Sequence, residues 1–509
     1  MYVSKREAAL YAGLAVFTFV WTGAFSLLGM DLHHDGIMLK AASDVAAGKW
    51  VFRETFCQYG LLSPLLQGAA LGLFGTELAV LKLLTAAFYA GIVILCDLLW
   101  RRFLPPLFRA VNLLMFFVLA PYLLVPFHIW SSVYALFFML LAAELFLLFE
   151  EQDKSRFLYF SGLCAMLAFG FRQPCGVVTL AAQLIALGIA KRCRADGPPP
   201  GRSFAFLFAG AGTAAGLFAA YITIGRAWPD YLRQTFSFVS GFAFRRGGGG
   251  GVYPLLAAFL PHSETLNFIF AFVPLTALGL FFFSCRKFFS DPRSMQKDLP
   301  LISLLLFGLA SYHQYYPVPC VRHLYWSAVP MFGAYALTLR RISGSVSLAR
   351  RKKLLFLSLL VLPLVWGGAL RMNAGVMRLS KFSARPRSDL PGVRFIRLSR
   401  GEEKLCSAVQ DLKLGFPPAL KKRGVFNYTG DGIWSVILPD VKGFDHPMFV
   451  NWGKEVYPDY PEKAMAFIDR VRPAVMASTY FYHPAYVKVF GFRYMGTDYS
   501  FWAPAETEE

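Results

Sequence analysis

Apolar runs of about twenty residues recur along most of this chain, and a soluble fold has no room for so many of them. Spans are expected near residues 8–29, 79–100, 110–126, 132–149, 157–171, 175–190, 204–224, 264–284, 299–312, 324–339 and 354–370. Of 509 residues, 56% are hydrophobic and only 16% are charged, where soluble domains carry about 25% charge. The expected fold class is therefore an α-helical polytopic membrane protein with about 11 transmembrane helices. The first run lacks a small-residue cleavage site and reads as a retained helix.

A net charge of +20 would suggest nucleic acid in a soluble protein. Here the positive charge collects in alternate short loops. The rich segments hold Lys5 and Arg6; Arg101, Arg102 and Arg109; Lys154 and Arg156; Lys191, Arg192 and Arg194; Arg286 and Lys287 through Lys297; and Arg340 and Arg341 through Lys353. The span count puts all of these on one side, which makes that side cytoplasmic. Segments 30–78, 127–131, 172–174, 225–263 and 313–323 then lie outside with the tail, facing the periplasm if the host is a bacterium and the membrane its inner one. Within the first of them, 37–49 and 61–75 read as helices too short or too polar to span, suited to the interface.

The chain divides into a membrane domain, 1–370, and a C-terminal extracytoplasmic α/β domain, 371–509. The tail is richer in charge and broken by Pro, Gly and Asp. Helical spacing marks 401–413 and 461–472, the latter with Pro461 in its first turn. Strand character marks 423–428, 447–452, 474–480 and 492–502, and a basic linker, 371–389, is expected to tether the unit. Cys57, Cys175, Cys320 and Cys406 fall outside or at the outer boundary, so a Cys175–Cys320 disulfide is a candidate, while no cysteine pair has metal-ligand spacing. Asn427-Tyr428-Thr429 fits a glycosylation triplet, a weak signal.

Ionic groups at the outer boundary carry the functional reading. Asp31, His33, His34 and Asp35 emerge where the first span ends, and a carboxylate at a helix centre costs roughly 2.5–3.5 kcal/mol. Further clusters are Arg172-Gln173-Pro174, His313 with Arg322-His323, Arg245-Arg246 before Gly247–Gly251, His128 with Trp130, and Glu54 with Gln58 and Tyr59. External arginines present a planar fork suited to phosphate, which points to an anionic partner. The plainer alternatives are a helix-exit aspartate, an arginine on lipid headgroups, a satisfied interfacial histidine and a glycine linker. The chain has no Gly-x-x-x-x-Gly-Lys loop and no Gly-x-Gly-x-x-Gly after a strand. That argues against an ATP-driven machine and against a transferase using cytosolic nucleotide sugars.

The order of these groups resembles the GT-C class of membrane glycosyltransferases, which includes protein mannosyltransferases and aminoarabinose-transferase-like enzymes. The resemblance is carried by Asp35-Gly36 in the first external loop, then Ala46-Ala47-Gly48-Lys49 and Gln58-Tyr59-Gly60-Leu61-Leu62-Ser63-Pro64. Arg172-Gln173 before a helix, Arg322-His323 at a late span and an external domain after the last helix follow in the same order. It implies a GT-C-like fold, a sugar donor linked to polyprenyl phosphate, and transfer to a lipid, glycan or protein hydroxyl on the external side, with inversion. On that basis Asp35 is the expected base with Asp31 in reserve. Arg172, Arg322, His323 and Arg245 are candidates for the donor phosphate, and Glu54, Gln58, Tyr59, Gln173 and His313 for acceptor or accessory contacts. Gly36 stands where many members have a second acidic residue, so a divalent metal is left open, with Asp31 or its neighbouring histidines as substitute ligands. Two other readings stay open: an oligosaccharide ligase using a lipid-diphosphate-linked glycan, and a lipid or sugar transporter. The transporter lacks support in any internal repeat or mid-span charge.

Overall fold

The computed structural model describes residues 4–505 apart from 195–199, 239, 242–267, 316–319, 347–348, 415–422, 439–440, 442, 445–455, 479 and 495. The membrane part runs as α1 (Lys5–Ser26), α2 (His34–Ala46), α3 (Leu62–Phe74), α4 (Leu78–Trp100), α5 (Pro106–Val118), α6 (Ser131–Gln152), α7 (Ser155–Phe171), α8 (Gln173–Cys193) and α9 (Pro200–Ile224). It continues through the short α10 (Trp228–Leu232), α11 (Phe268–Cys285), α12 (Leu299–Ser311), α13 (Val321–Ala328), α14 (Phe332–Gly344) and α15 (Arg350–Ser383).

A helix overlaps each expected span, although the one expected at 110–126 begins at Pro106 and stops at Val118. Among the described residues, six are long and apolar enough to cross a membrane alone: α1, α4, α6, α8, α15 and most of α9. The expected span 324–339 is divided between α13 and α14 by a tight turn at Val329–Met331, because Pro330 removes an amide donor there. Helices α7 and α9 pack backbone to backbone. A methyl group on Gly162 would sit 2.1 Å from Leu207 O, and one on Gly210 would sit 1.8 Å from Tyr159 O. In lipid, such small-residue contacts replace the hydrophobic drive that water would supply.

The bundle has two chemically distinct ends. At one, the basic loops find acidic or carbonyl partners: Arg102 with Glu144 at 2.7 Å, Arg109 Nε with Asp97 at 2.9 Å, and Arg340 with Phe103 O at 2.7 Å. These residues come from segments that alternate in sequence, as the charge pattern requires. The other end gathers 30–61, 126–132, 172–173, 313–315 and 320–323 with the described part of the tail.

The tail holds α16 (Arg400–Leu414), β1 (Val425–Tyr428), α17 (Trp434–Ile437), α18 (Tyr460–Val471), β2 (Ala474–Ala477), β3 (Tyr486–Tyr494) and β4 (Thr497–Pro504). The sheet order is β1-β2-β4-β3, parallel between β1 and β2 and antiparallel elsewhere. Strand β2 is buried throughout, as its run Ala-Val-Met-Ala in the sheet interior demands.

Several details differ from the sequence reading. The single strand expected at 492–502 is the end of one strand and most of the next, turned at Gly496, whose φ of +83° suits a residue without Cβ. The strand expected at 447–452 lies outside the described residues. The supposed linker is mostly helix: α15 passes straight through residue 370 to Ser383. Its arginines are anchors, with Arg371 donating to Leu119 O at 2.8 Å and Arg378 to Leu28 O at 2.6 Å. Arginine suits this, since one guanidinium satisfies several carbonyls at the frayed ends of other helices. All eight cysteines are free, so Cys175 and Cys320 are not joined. Asn427 donates to Asp431 O at 3.0 Å and accepts from Thr429, so the glycosylation triplet is a side-chain-stapled turn with Thr429 buried.

Candidate active site

The chain leaves α1 at Ser26, turns at Gly29 (φ +72°), and enters α2 at His34. This loop is held from both sides. From the tail, Arg397 exchanges backbone hydrogen bonds with Leu27 and Gly29, each 2.8 Å, and Glu402 accepts from Met30 N at 3.0 Å. From the membrane side, Lys82 on α4 donates to Gly29 O at 2.9 Å. The start of α2 is then capped by Asp31, whose Oδ1 accepts from His33 N at 3.1 Å and His34 N at 2.8 Å. Aspartate ahead of a helix satisfies amides that have no intrahelical partner.

The two aspartates have opposite surroundings. Asp35, the expected base, is 0% exposed and ion-paired at 3.1 Å with Lys82, itself 0% exposed; its Oδ2 also accepts from Asp31 N. Asp35 is thus closed off from solvent in a buried ion pair, with its Oδ1 making no hydrogen bond. Asp31 keeps 22% of its side chain exposed and sits among imidazoles, with Oδ2 3.0 Å from His34 Nδ1 and 3.3 Å from His128 Nε2. Burial opposes its charge, but the His128 and His34 imidazoles outweigh that and hold the carboxyl far below the usual range. His128, buried ahead of α6, is driven towards the neutral form mainly by that burial.

The tail reaches this centre directly. Gly430 O lies 2.9 Å from His33 Nδ1, Asp431 Oδ1 lies 3.4 Å from it, and Tyr499 on β4 donates to Asp431 Oδ2 at 2.5 Å. Burial lowers the His33 pKa, yet Asp431 more than restores it, so His33 takes its proton more readily than usual. The departure at Gly36 has a steric cause: a methyl group there would lie 2.3 Å from Ile433 N in the tail. A second acidic residue cannot occupy that position. Gly36→Ala is expected to lower the melting temperature of the detergent-purified protein by several degrees and to speed proteolytic release of the tail. An unchanged melting curve and digestion pattern would refute the close packing.

Cationic groups follow along one wall. Arg172, in the extended break between α7 and α8, hydrogen-bonds Ser132 and lies 5.7 Å above the Tyr59 ring. Tyr59 packs on Trp130 (5.0 Å), and Trp130 on His34 (5.0 Å), so Arg172 connects to Asp31 through continuous contacts. Arg322 is close enough to His128 to depress its basicity, and its half-buried guanidinium has a buried Nε without a partner. His323 packs against Trp326 at a tilt and hydrogen-bonds Cys320. Gln173 has a buried, unpartnered Nε2, and Gln58 is half-buried next to Tyr59. His313 donates from Nδ1 to Ala310 O (2.8 Å), and burial pushes its pKa down to about 4, so the ring is neutral at neutral pH. Glu54 is not part of the wall: it is exposed, and its carboxylate accepts from Trp50 N at 2.8 Å to close a local turn. Arg245 lies outside the described residues.

Sequence reasoning passed over Lys82, Ser132, Glu402, Asp431 and Tyr499 and treated His128 as a bystander. Lys82 carried a readable signal, as a lone cation inside an apolar run. The tail residues carried none.

Cys320 caps the N-terminus of α13. Burial works against its thiolate, but the hydrogen bond and charge of His323 bring the thiol down to about 6. Its alkylation by iodoacetamide should rise with pH around a midpoint near 6 and level off above neutrality. A midpoint near the ordinary value of about 8.5 would overturn this pairing.

No protein-family model and no curated protein matches the sequence. Solved structures do match. ArnT from Cupriavidus metallidurans bound to undecaprenyl phosphate is 11% identical, with 97% of each chain covered and a TM-score of 0.53. The apo state of that protein (12% identity, 98% of each chain, TM-score 0.49) and the apo oligosaccharyltransferase of Archaeoglobus fulgidus (11%, 92% of this chain and 69% of that one, TM-score 0.47) are more distant. The 0.53 alignment spans bundle and tail together, and it establishes that this chain has the fold of the GT-C membrane glycosyltransferases.

Proposed function

We propose that this chain is an integral-membrane glycosyltransferase that moves a sugar from a polyprenyl-phosphate donor to an acceptor hydroxyl on the side away from the cytosol, with inversion at the anomeric centre. The observation that supports this best is the run of contacts joining one partly exposed, ionised carboxylate, Asp31, through His34, Trp130 and Tyr59 to Arg172, with Arg322 near enough to His128 for its charge to lower the basicity of that ring. Glycosyl transfer needs those two features together: negative charge for the acceptor proton and the developing sugar cation, positive charge for the departing phosphate. General-base assistance contributes about 10²–10⁴ in rate, and preorganised charge at the leaving group contributes comparably. ArnT, which shares the fold, was solved with undecaprenyl phosphate.

In this reading Asp31 receives the acceptor hydroxyl, and Arg172, Arg322 and His323 receive the phosphate. Asp35 and Lys82 hold the loop that carries Asp31. The tail forms the far wall through Asp431 and Tyr499. The basic end of the bundle faces the cytosol, by the asymmetry of Lys and Arg.

Purified protein in liposomes should transfer sugar from a polyprenyl-phosphate donor and not from a nucleotide sugar. Arg322→Ala should raise the apparent KM for donor at least tenfold with a smaller change in kcat. An unchanged donor KM removes Arg322 from the phosphate site. Transfer of a preformed glycan from a lipid diphosphate would favour the ligase reading instead.

A further inference from the structure

The basic end of the bundle divides into two halves. In one, arginines are matched by carboxylates: Arg101 with Glu7 at 3.5 Å, Arg102 with Glu144 and Glu151 at 2.7 Å and 2.6 Å, and Arg109 with Asp97. In the other, at the ends of α11 and α14, the cations rest on an aromatic ring instead. The Arg286 and Arg341 guanidinium carbons lie 4.1 Å and 5.4 Å from the centre of the same Phe283 ring. Arg286 donates to Phe283 O at 2.7 Å, and neither arginine forms a salt bridge among the described residues. Partial burial lowers the Arg341 pKa, Asp298 offsets part of this, and the like charges of Arg286 and Arg340 add to it. Repulsion among gathered cations falls when an anion joins them. A guanidinium held over a ring keeps its edge of N–H donors for a phosphate.

An apolar groove of about 310 Å³ opens between α11 and α14, lined by Phe272, Leu275, Thr276, Gly279, Leu280 and Thr338. Gly279 and Leu280 stand one turn before Phe283, and Thr338 stands one turn before Arg341, so the groove leads to the arginine pair. Gly279 keeps it open: a methyl group there would meet nothing within 4 Å. Past the end of α11, Phe289 is 88% exposed, and Phe282 and Phe283 are more than half exposed. Rings so bare at the end of a membrane helix suit acyl chains and not water.

We infer that Arg286 and Arg341 form a phosphate site for an anionic phospholipid of the leaflet at the basic end, with an acyl chain in the groove between α11 and α14. Basic pockets between membrane helices hold anionic headgroups in this way. A free phosphate would satisfy the arginines alike, but it would leave the groove and the bare rings without an occupant. The site lies at the end of the bundle away from Asp31 and does not rest on the proposed transfer, so either can fail while the other stands.

The test uses the full-length chain, delipidated in detergent and read by native mass spectrometry with phosphatidylglycerol, phosphatidylcholine or inorganic phosphate. One phosphatidylglycerol per chain should be retained, with phosphatidylcholine held about tenfold more weakly because it brings no net charge. Arg286→Gln and Arg341→Gln should each weaken phosphatidylglycerol binding about tenfold. Arg351→Gln, on the exposed start of α15, should leave it unchanged. Gly279→Leu fills the groove from open space, so it should weaken lipid binding by about the same factor without lowering the melting temperature of the lipid-free protein. Equal retention of the two lipids, or equal losses for the Arg286, Arg341 and Arg351 variants, would overturn the site and leave unspecific charge attraction only. Displacement of phosphatidylglycerol by inorganic phosphate, together with wild-type lipid binding in the Gly279 variant, would overturn the lipid assignment and leave a plain anion site.

Discussion

Asp31→Asn is expected to reduce transfer by about 10²–10⁴ while the protein remains folded and inserted. Asparagine can still accept from the amides of His33 and His34, so the cap of α2 survives. What it loses is charge. Its amide would also oppose His34 Nδ1 and His128 Nε2, which now face a carboxylate oxygen at 3.0 Å and 3.3 Å. The measurement is turnover at saturating donor, with melting temperature and size-exclusion profile as controls. Wild-type turnover in a folded variant would remove Asp31 from the chemistry, and with it the proposed reacting centre.

The second large effect concerns stability. Lys82→Met should destabilise the protein by about 3–5 kcal/mol, because it strands Asp35 as an uncompensated charge in a fully buried position. Asp35→Asn strands Lys82 in the same way. Combining the two substitutions should recover most of the loss, since replacing a whole buried pair is often close to neutral. Thermal or denaturant unfolding in detergent gives the three values and their coupling. If each single variant melts as the wild type does, the pair is solvated and Asp35 returns as a candidate base. The two experiments together separate the aspartates: loss of Asp31 should remove activity with stability intact, and loss of Asp35 should remove stability first.

Much of the bundle was legible because membrane insertion writes itself into composition. Each expected span meets a helix, and the basic loops gather at one end as the charge pattern required. The helices at 37–49 and 61–75 appear as α2 and α3, close to the expected limits. The site was legible only in outline. The candidate site proposed here starts from the loop after α1 and Arg172, both named from the sequence, but the difference between Asp31 and Asp35 was not available. Four residues apart on an unfolded chain, they are equivalent carboxylates. They become different only when Lys82 arrives from α4 to neutralise one and His128 arrives from the segment before α6 to face the other.

The sequence by itself determined the membrane class, the positions of the helices and the end of the bundle where ionic groups collect. These follow from hydropathy and charge, which act residue by residue over short windows. The tertiary structure alone decided which carboxylate stays open, which histidines converge and how far the tail enters the site. Those depend on burial and on distances between segments up to 400 residues apart, as between His33 and Gly430, and electrostatic energy in a low-dielectric interior turns on such distances.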